Sequence, residues 1–195
     1  AGFIGIEAAE ALAQRGFETQ LVEYAEHVLP PLEVEMATLV THELRGLGVC
    51  VHAGVAAQSI VHGDDHDSVT LSDGIVLTAD VIVLSTGVRP DTAFAEAAGI
   101  ETSRGYILVD DRGRTSVDDV YAVGDAAVGR DHDRPVALAG PANRGGRLVA
   151  DAIADAEHGE AAARPIPNPQ GTAIVRIGSL TAAMTGANRQ ALDAS

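Results

Sequence analysis

Apolar residues along this chain alternate between helical and strand-like spacing, and the alternation predicts an α/β fold. Residues 3–15 and 33–45 carry apolar side chains at helical intervals. A short apolar run follows each helix, at 19–22 and at 49–52, and both runs are predicted to be strands. Gly16 is expected to end the first helix in a left-handed conformation. The predicted apolar stripe of the second helix comprises Val34, Leu39, Val40 and Leu44. Helices that alternate with buried strands indicate a parallel sheet.

The rest of the chain continues this alternation. Residues 80–84 contain the apolar run Val-Ile-Val-Leu, which is typical of a strand buried on both faces of a parallel sheet. An Asp73-Gly74 turn within residues 69–77 predicts a hairpin. Further strands are predicted at 106–109, 120–123 and 172–177, and further helices at 92–98 and 138–156. The proline-rich residues 163–170 are predicted to be a linker.

The first twenty-three residues have the spacing of a dinucleotide-binding βαβ unit whose first strand is missing. Gly2 would let the backbone approach a pyrophosphate closely, and Gly5 would let the helix press onto the sheet. The N–H groups of the helix that begins near Phe3 and Ile4 would face the phosphates. Glu23 can accept hydrogen bonds from ribose hydroxyls and would repel a 2′-phosphate. The alternative is an ordinary amphipathic helix after a glycine-rich turn.

Two further turns lie where open α/β sheets bind ligands, at the carboxyl ends of predicted strands. Thr86 and Gly87 follow the run at 80–84, and Gly124 and Asp125 follow the predicted strand at 120–123. The carboxylate of Asp125 could hold a sugar or ribityl hydroxyl, although a capping aspartate in a plain turn is the alternative. Pro141 suits the first turn of the next helix, which directs a second helix N-terminus towards a ligand.

Charge and cysteine content exclude several classes of partner. The 195 residues include 13 basic and 28 acidic side chains, a formal net charge of −15, which repels nucleic acid and acidic lipid. No apolar run reaches the ~18 residues of a transmembrane helix, so neither nucleic acid nor membrane is a predicted partner. Cys50 is the single cysteine; it is predicted to be a core residue, and the lack of an internal disulfide favours a reducing compartment, the cytoplasm. The polar residues 62–67 include two His and three Asp, for which a solvated hairpin loop is favoured over a metal site, so no metal ligand is predicted.

Four blocks together resemble one family. They read G-F-I-G-I-E, S-T-G-V-R-P-D, D-V-Y-A-V-G-D-A and L-A-G-P-A-N-R-G-G-R in chain order. In this order they resemble the pyridine nucleotide–disulphide oxidoreductases, and the last block is most similar to the coenzyme A-disulphide reductase and NADH oxidase branch. The resemblance implies an incomplete Rossmann-like NAD(P)-binding domain at 1–95 and the returning segment of an FAD-binding domain at 96–160. It also implies the start of an α+β dimerisation domain at 165–195, and hence a homodimer.

The resemblance also implies cofactors and site residues. The cofactors would be FAD and NAD(P)H, with NADH favoured, and the electron acceptor would be a disulphide such as coenzyme A disulphide, a persulphide, or oxygen. Residues implied to bind the nicotinamide cofactor are Gly2, Phe3, Ile4, Gly5, Glu7, Glu23, Thr86 and Gly87, with Glu7 near the nicotinamide and Gly87 near the NAD–FAD junction. Residues implied to bind FAD are Gly124, Asp125, Ala139, Gly140 and Pro141. Asp125 would hold the ribityl chain, and the helix N-terminus at Ala139, Gly140 and Pro141 would face the pyrimidine edge of the flavin.

Departures from the family pattern leave alternatives open. The family's redox cysteine and first FAD fingerprint lie upstream of the blocks found here, and Cys50 matches no catalytic position. No catalytic residue is therefore predicted in this segment, which is expected to be inactive alone and to expose apolar surface. One alternative is a flavin reductase that serves a ferredoxin and lacks a redox cysteine, although an acidic surface suits an acidic ferredoxin poorly. Another is a non-catalytic nucleotide-binding remnant.

Overall fold

The computed structural model describes residues 1–132, 135–159 and 164–193. Contacts divide the chain into two units. The first unit combines residues 1–87 with the segment from Ala173 onward, and the second unit is Val88–Thr172. The limits of the three domains given above remain predictions.

Helices and strands follow one another much as the sequence indicates. In chain order they are α1 (Phe3–Gln14), β1 (Thr19–Glu23), α2 (Val34–Gly46), β2 (Val49–Ala53), β3 (Ala57–Val61), β4 (Asp67–Leu71), β5 (Val76–Ala79), α3 (Ala93–Ala97), β6 (Thr102–Ser103), β7 (Tyr106–Val109), β8 (Ala127–Gly129), α4 (Ala139–His158), β9 (Ala173–Ile177), β10 (Leu180–Met184) and α5 (Arg189–Asp193). Gly16 has a φ of 85° and ends α1 as predicted. The Asp73-Gly74 hairpin is also confirmed, between β4 and β5.

The sheets of the first unit are a parallel pair, a three-stranded meander and an antiparallel hairpin. Strands β1 and β2 are parallel, with Thr19 opposite Val49 and Glu23 opposite Ala53. Strands β3, β4 and β5 are antiparallel neighbours, and β9 pairs with β10. In the second unit β7 pairs antiparallel with β6 and parallel with β8. The parallel β1–β2 pair around α2 confirms the α/β fold class.

The core of the first unit lies between its two long helices and its strands. The buried residues of this core are Ile6, Ala9, Leu21, Val28, Leu29, Leu32, Ala37, Val40, Leu44, Val49, Val175, Ile177 and Ala182. The predicted apolar stripe of α2 is therefore wrong in part: Val34 and Leu39 are 54% and 52% exposed. The buried face instead follows Ala37, Val40 and Leu44, which recur every three and four residues.

Two predicted strands and one predicted core residue are corrected by the structure. Residues 80–84 form no strand, because no described residue pairs with their backbone. Val81 and Leu84 are each 75% exposed, which confirms the expectation of exposed apolar surface. Residues 120–123 are likewise not a strand and contribute one isolated bridge, between Arg114 and Tyr121. Cys50 is exposed because side chains alternate along β2 and the neighbouring Val49 takes the buried side.

The described helices include none with the length and apolar character needed to cross a lipid bilayer.

Candidate functional site

The first turn of α1 leaves backbone donors and open space for a ligand. Gly2 is the N-cap, no side chain caps the helix, and the Gly2 carbonyl accepts the Ile6 N–H at 3.1 Å. The N–H groups of the first turn have no partner within an α-helix. A Cβ at Gly2 would meet no atom within 4 Å. This turn therefore has the donors, the dipole and the space that a phosphate group requires.

Glu23 lies at the end of β1, beside this turn. Its carboxylate accepts hydrogen bonds from the Ala1 amino group and from the Ala25 N–H at 2.8 Å, and its side chain is 12% exposed. Partial burial raises the pKa of Glu23, but hydrogen bonds from the Ala1 nitrogen and from the N–H groups of Ala25 and Tyr24 lower it by a larger amount. The net pKa lies below the usual range, so the carboxylate is charged at neutral pH and remains an acceptor for hydroxyl groups.

A second turn of the same unit packs against α1. A Cβ at Gly5 would lie 3.4 Å from the Cβ of Ser85, so the absence of a side chain at Gly5 lets α1 approach this segment. Thr86 and Gly87 follow directly and are exposed. Gly87 has a φ of 99°, and a Cβ there would meet no atom within 4 Å. Glu7, the fifth residue of α1, is also exposed.

In the second unit, the turn at Gly124 and Asp125 lies against the start of α4. A Cβ at Gly124 would lie 3.8 Å from the Cβ of Ala142, and a Cβ at Gly145 would lie 2.7 Å from Val123 Cγ2. Gly124 has a φ of 86°, and its carbonyl accepts the Ala127 N–H at 3.1 Å. The sequence predicted that this turn follows a strand at 120–123. In the structure it instead precedes strand β8.

The groups that face this turn suit a polar ligand. Asp125 is exposed, and among the described residues nothing donates a hydrogen bond to its carboxylate. Helix α4 starts with Ala139, Gly140 and Pro141, has Leu138 as its N-cap and has no side-chain cap. A Cβ at Gly140 would meet no atom within 4 Å. A carboxylate that accepts from hydroxyl groups, together with a 20-residue helix whose uncapped N-terminus donates N–H groups, fits a flavin nucleotide.

Within each unit, then, the structure brings predicted site residues together. Gly2 and Glu23 meet through Ala1, and Gly5 brings α1 to the segment that carries Thr86 and Gly87. In the second unit, the residue pair Gly124 and Asp125 lies beside the first turns of α4. Sequence reasoning missed the packing partners of these glycines, Ser85 and Val123, because side-chain spacing gives no signal for contacts between distant segments.

The polar loop at 62–67 forms two separate histidine–aspartate pairs. His62 Nδ1 lies 2.6 Å from Asp67 Oδ1, and His66 Nδ1 lies 2.9 Å from Asp80 Oδ1. Over residues 1–132, 135–159 and 164–193, no three His, Cys, Asp or Glu side chains are grouped so that they could hold a metal ion.

Known proteins similar to this chain include reductases, two of which have NAD in their names. A curated relative, rubredoxin-NAD(+) reductase of Alcanivorax borkumensis, is 41% identical over 155 residues, which are 78% of this chain and 40% of the relative. A solved structure of reduced CoADR-RHD from Bacillus anthracis is 34% identical with a TM-score of 0.89, and it matches 99% of this chain and 34% of its own. A NAD-dependent persulfide reductase from A. fulgidus is 34% identical with a TM-score of 0.90, over 99% of this chain and 36% of its own.

The chain thus spans less than half the length of the relatives that it matches. A family model described as pyridine nucleotide-disulphide oxidoreductase matches residues 1–156. This match covers all four sequence blocks and both groups of site residues. The chain belongs to the pyridine nucleotide-disulphide oxidoreductase family.

Proposed function

We propose that this chain is the nucleotide-binding part of an FAD-dependent NAD(P)H oxidoreductase. The observation that carries the proposal is the position of the Glu23 carboxylate beside the first turn of α1. N–H groups that donate to phosphate, beside a carboxylate that accepts from hydroxyl groups, are what an adenosine diphosphate moiety needs. The domain limits at 1–95, 96–160 and 165–195 are part of this proposal.

In the nicotinamide half, Gly2, Phe3, Ile4 and Gly5 would cradle the pyrophosphate with backbone N–H groups. Glu23 would bind the adenosine ribose hydroxyls, and its charge favours NADH because a 2′-phosphate would be repelled. Glu7, Thr86 and Gly87 would lie towards the nicotinamide. The residues 24–27 carry no arginine that could pair with a 2′-phosphate.

In the flavin half, Asp125 would hold the ribityl chain and the Gly124 turn would set its position. Ala139, Gly140 and Pro141 would direct the N-terminus of α4 to the pyrimidine edge of the flavin, where N–H groups and the helix dipole stabilise negative charge. When bound, FAD would accept a hydride from NAD(P)H and deliver two electrons to the acceptor.

The proposed acceptor is a disulphide, such as coenzyme A disulphide or a persulphide, or oxygen. The similarity to CoADR-RHD and to a NAD-dependent persulfide reductase supports the sulfur acceptors. No residue of this chain is proposed to react with the acceptor. The exposed Cys50 lies on β2 opposite Gln20, at the other end of the strand pair from Glu23. The whole protein is proposed to be a cytoplasmic homodimer.

A second candidate is a reductase that passes electrons to a small iron–sulfur protein. The 41% identity to a rubredoxin-NAD(+) reductase favours it. The net charge of −15 opposes it, because an acidic surface docks an acidic electron carrier slowly. The two candidates share both nucleotide turns and differ only in the acceptor.

Absorbance of the purified whole protein tests the proposal. A yellow protein with one FAD per chain, bleached by NADH under anaerobic conditions, supports it; a colourless protein that takes up no FAD overturns it in favour of a non-catalytic remnant. Coenzyme A disulphide, a persulphide, oxygen and rubredoxin are then added in turn to the bleached protein. Fast return of colour with rubredoxin alone selects the second candidate. Asp125→Ala is expected to lose FAD, whereas Asp118→Ala, which removes another exposed carboxylate of the same unit, is expected to keep it.

A further inference from the structure

Helix α4 and residues 164–167 border an open groove on the second unit. The groove has a volume of about 610 Å³, and its lining includes Arg144, Arg147, Leu148, Asp151, Arg164 and Pro165. We name it the arginine groove. Its volume lies within the range of small-molecule sites.

The two walls of the arginine groove are fixed. Arg144 and Arg147 are one turn apart on α4 and share a face, next to the buried Leu148. The wall opposite α4 is formed by residues 164–167, which belong to no helix or strand. The Ile166 N–H donates a hydrogen bond to the Asp111 carbonyl at 2.7 Å, which fixes the position of this wall. Asn168 Oδ1 also lies 2.7 Å from His132 Nε2. Arg164 precedes these two contacts and lines the groove together with the arginines of α4.

Among the described residues, the positive charge that lines the groove is only partly balanced. Three arginines face one carboxylate, that of Asp151, and none of the three guanidinium groups forms an ion pair or hydrogen bond with a described residue. Elsewhere in the same unit, Arg112 pairs with Asp155 at 3.4 Å and Arg130 with Glu101 at 2.6 Å. In a chain with 28 acidic and 13 basic residues, three arginines left without carboxylate partners around one groove indicate an anionic ligand.

We propose that the arginine groove binds the phosphate groups of a small molecule that carries more than one phosphate. Guanidinium groups remain charged at every physiological pH and bind phosphate oxygens in pairs. Arginines on both walls suit a ligand with two separated anionic groups better than a single carboxylate. Two sources share this chemistry: a phosphorylated electron acceptor, and the pyrophosphate of the flavin nucleotide. We assign the groove to the acceptor, an assignment that rests on the proposed function, whereas the affinity for phosphate does not.

Inorganic pyrophosphate tests the groove directly. Its Kd is measured by titration calorimetry on the whole protein at low salt, with NAD⁺ in excess to occupy the turn at Gly2. Removing two charged hydrogen-bond donors in Arg147→Gln/Arg164→Gln is expected to raise the Kd at least about tenfold. Asp151→Asn removes the opposing carboxylate and is expected to lower the Kd about twofold. Arg114→Gln, which removes an exposed charge elsewhere in the unit, is the matched control. An unchanged Kd in the double variant overturns the proposal.

Two measurements separate the sources of phosphate. If the groove serves the acceptor, the double variant keeps its full FAD content. Its KM then rises for coenzyme A disulphide but not for pantethine, which keeps the pantetheine disulphide and lacks the phosphates and the adenosine. If the double variant is purified without FAD, the assignment to the acceptor is wrong and the flavin pyrophosphate occupies the groove. A parent protein that binds no FAD at all defeats the proposed function, yet its pyrophosphate titration still decides whether the groove binds phosphate.

Discussion

In the first unit Gly2 and Gly87, at the proposed ligand turns, border open space, whereas in the second unit Gly113 and Gly145 are enclosed by packed atoms. A Cβ at Gly2 or Gly87 would meet no atom within 4 Å. A Cβ at Gly113 would lie 2.5 Å from Val149 Cγ2, and a Cβ at Gly145 would lie 2.7 Å from Val123 Cγ2. The same residue type therefore leaves room for a ligand at Gly2 and Gly87, and room for the protein's own side chains at Gly113 and Gly145.

The two units also differ in the size of their buried apolar clusters. The first unit buries a continuous apolar cluster that extends from Ile6 on α1 to Ala182 on β10. In the described part of the second unit, the corresponding cluster consists of Ala95, Ile107 and Val109. With less apolar burial to stabilise it, the second unit depends more on close backbone packing, and small additions of volume there should matter more.

The largest effect is expected from Gly113→Ala. Gly113 has a φ of 76°, and its Cβ would also lie 3.2 Å from the Ala122 carbonyl oxygen. Backbone strain and overpacking together should lower the free energy of unfolding of the second unit by about 2–5 kcal/mol. Hydrogen exchange of the α4 amides measures this free energy for the second unit alone.

Gly105→Ala is the matched control, because Gly105 has a φ of 82° but open space around it. It should lower the same free energy by about 1–2 kcal/mol, the cost of a left-handed alanine alone. Equal losses in the two variants would show that packing around Gly113 contributes nothing, and the comparison between enclosed and open glycines would fail.

The next effect concerns the carboxylate beside the open turn of the first unit. Glu23→Ala removes an acceptor of ribose hydroxyls and should weaken NADH binding to the whole protein about tenfold. Adding Tyr24→Arg, at a position that is 81% exposed, should then favour NADPH by pairing with its 2′-phosphate. Steady-state rates with both cofactors measure the change. Glu18→Ala, at another exposed glutamate near β1, should leave the preference unaltered, and a parent protein that prefers NADPH would contradict the role of Glu23.

Consecutive glycines of α4 give a third, smaller effect of opposite sign. Gly146→Ala adds a methyl group into open space and should raise the free energy of unfolding by about 0.5–1 kcal/mol, because alanine favours a helix interior. Gly145→Ala should lose this gain by pressing on Val123, and should weaken FAD binding by shifting the adjacent turn at Gly124 and Asp125. Thermal unfolding and FAD titration are the measurements. The double variant Gly145→Ala/Val123→Ala should recover FAD affinity; if it does not, contact with Val123 is not the cause.

The sequence alone was sufficient for the local elements. Helix α1, its end at Gly16 and the Asp73-Gly74 hairpin depend on neighbouring residues, and all three are confirmed. The parts that failed depend on distant residues: residues 80–84 have strand composition but no strand partner among the described residues. Cys50 has an apolar neighbour on each side and is nevertheless exposed, because alternation along a strand outweighs composition.

For the candidate site the same distinction holds. The glycines and acids could be found from their spacing, because a nucleotide turn is a local structure. The contacts of Gly5 with Ser85 and of Gly145 with Val123 join segments far apart in the chain, and nothing in a single sequence marks them. The arginine groove could not be predicted from the sequence for the same reason, because Arg164 lies near α4 only in the folded unit.

The smallest effect is a pH dependence in the first unit, where glutamates of both long helices hold the turn between β9 and β10. Glu10 accepts the Gly178 N–H at 2.8 Å, and Glu43 accepts the Ser179 N–H at 2.7 Å and its hydroxyl at 3.0 Å. The Ser179 N–H and then its hydroxyl lower the pKa of Glu43, against a smaller opposing effect of desolvation. A carboxyl with a lowered pKa stabilises the fold above its unfolded pKa, and that stabilisation is lost as pH falls through the folded value.

Ser179→Ala should therefore be slightly less stable than the parent at pH 7, and the difference should shrink as the pH falls below the usual titration range of a glutamate. Thermal unfolding at a series of pH values measures the difference in stability between parent and variant. The contributions of other titrating groups cancel in this difference. A difference between parent and Ser179→Ala that stays constant from pH 7 to acid pH would show that the Glu43 contact does not stabilise the turn through its charge.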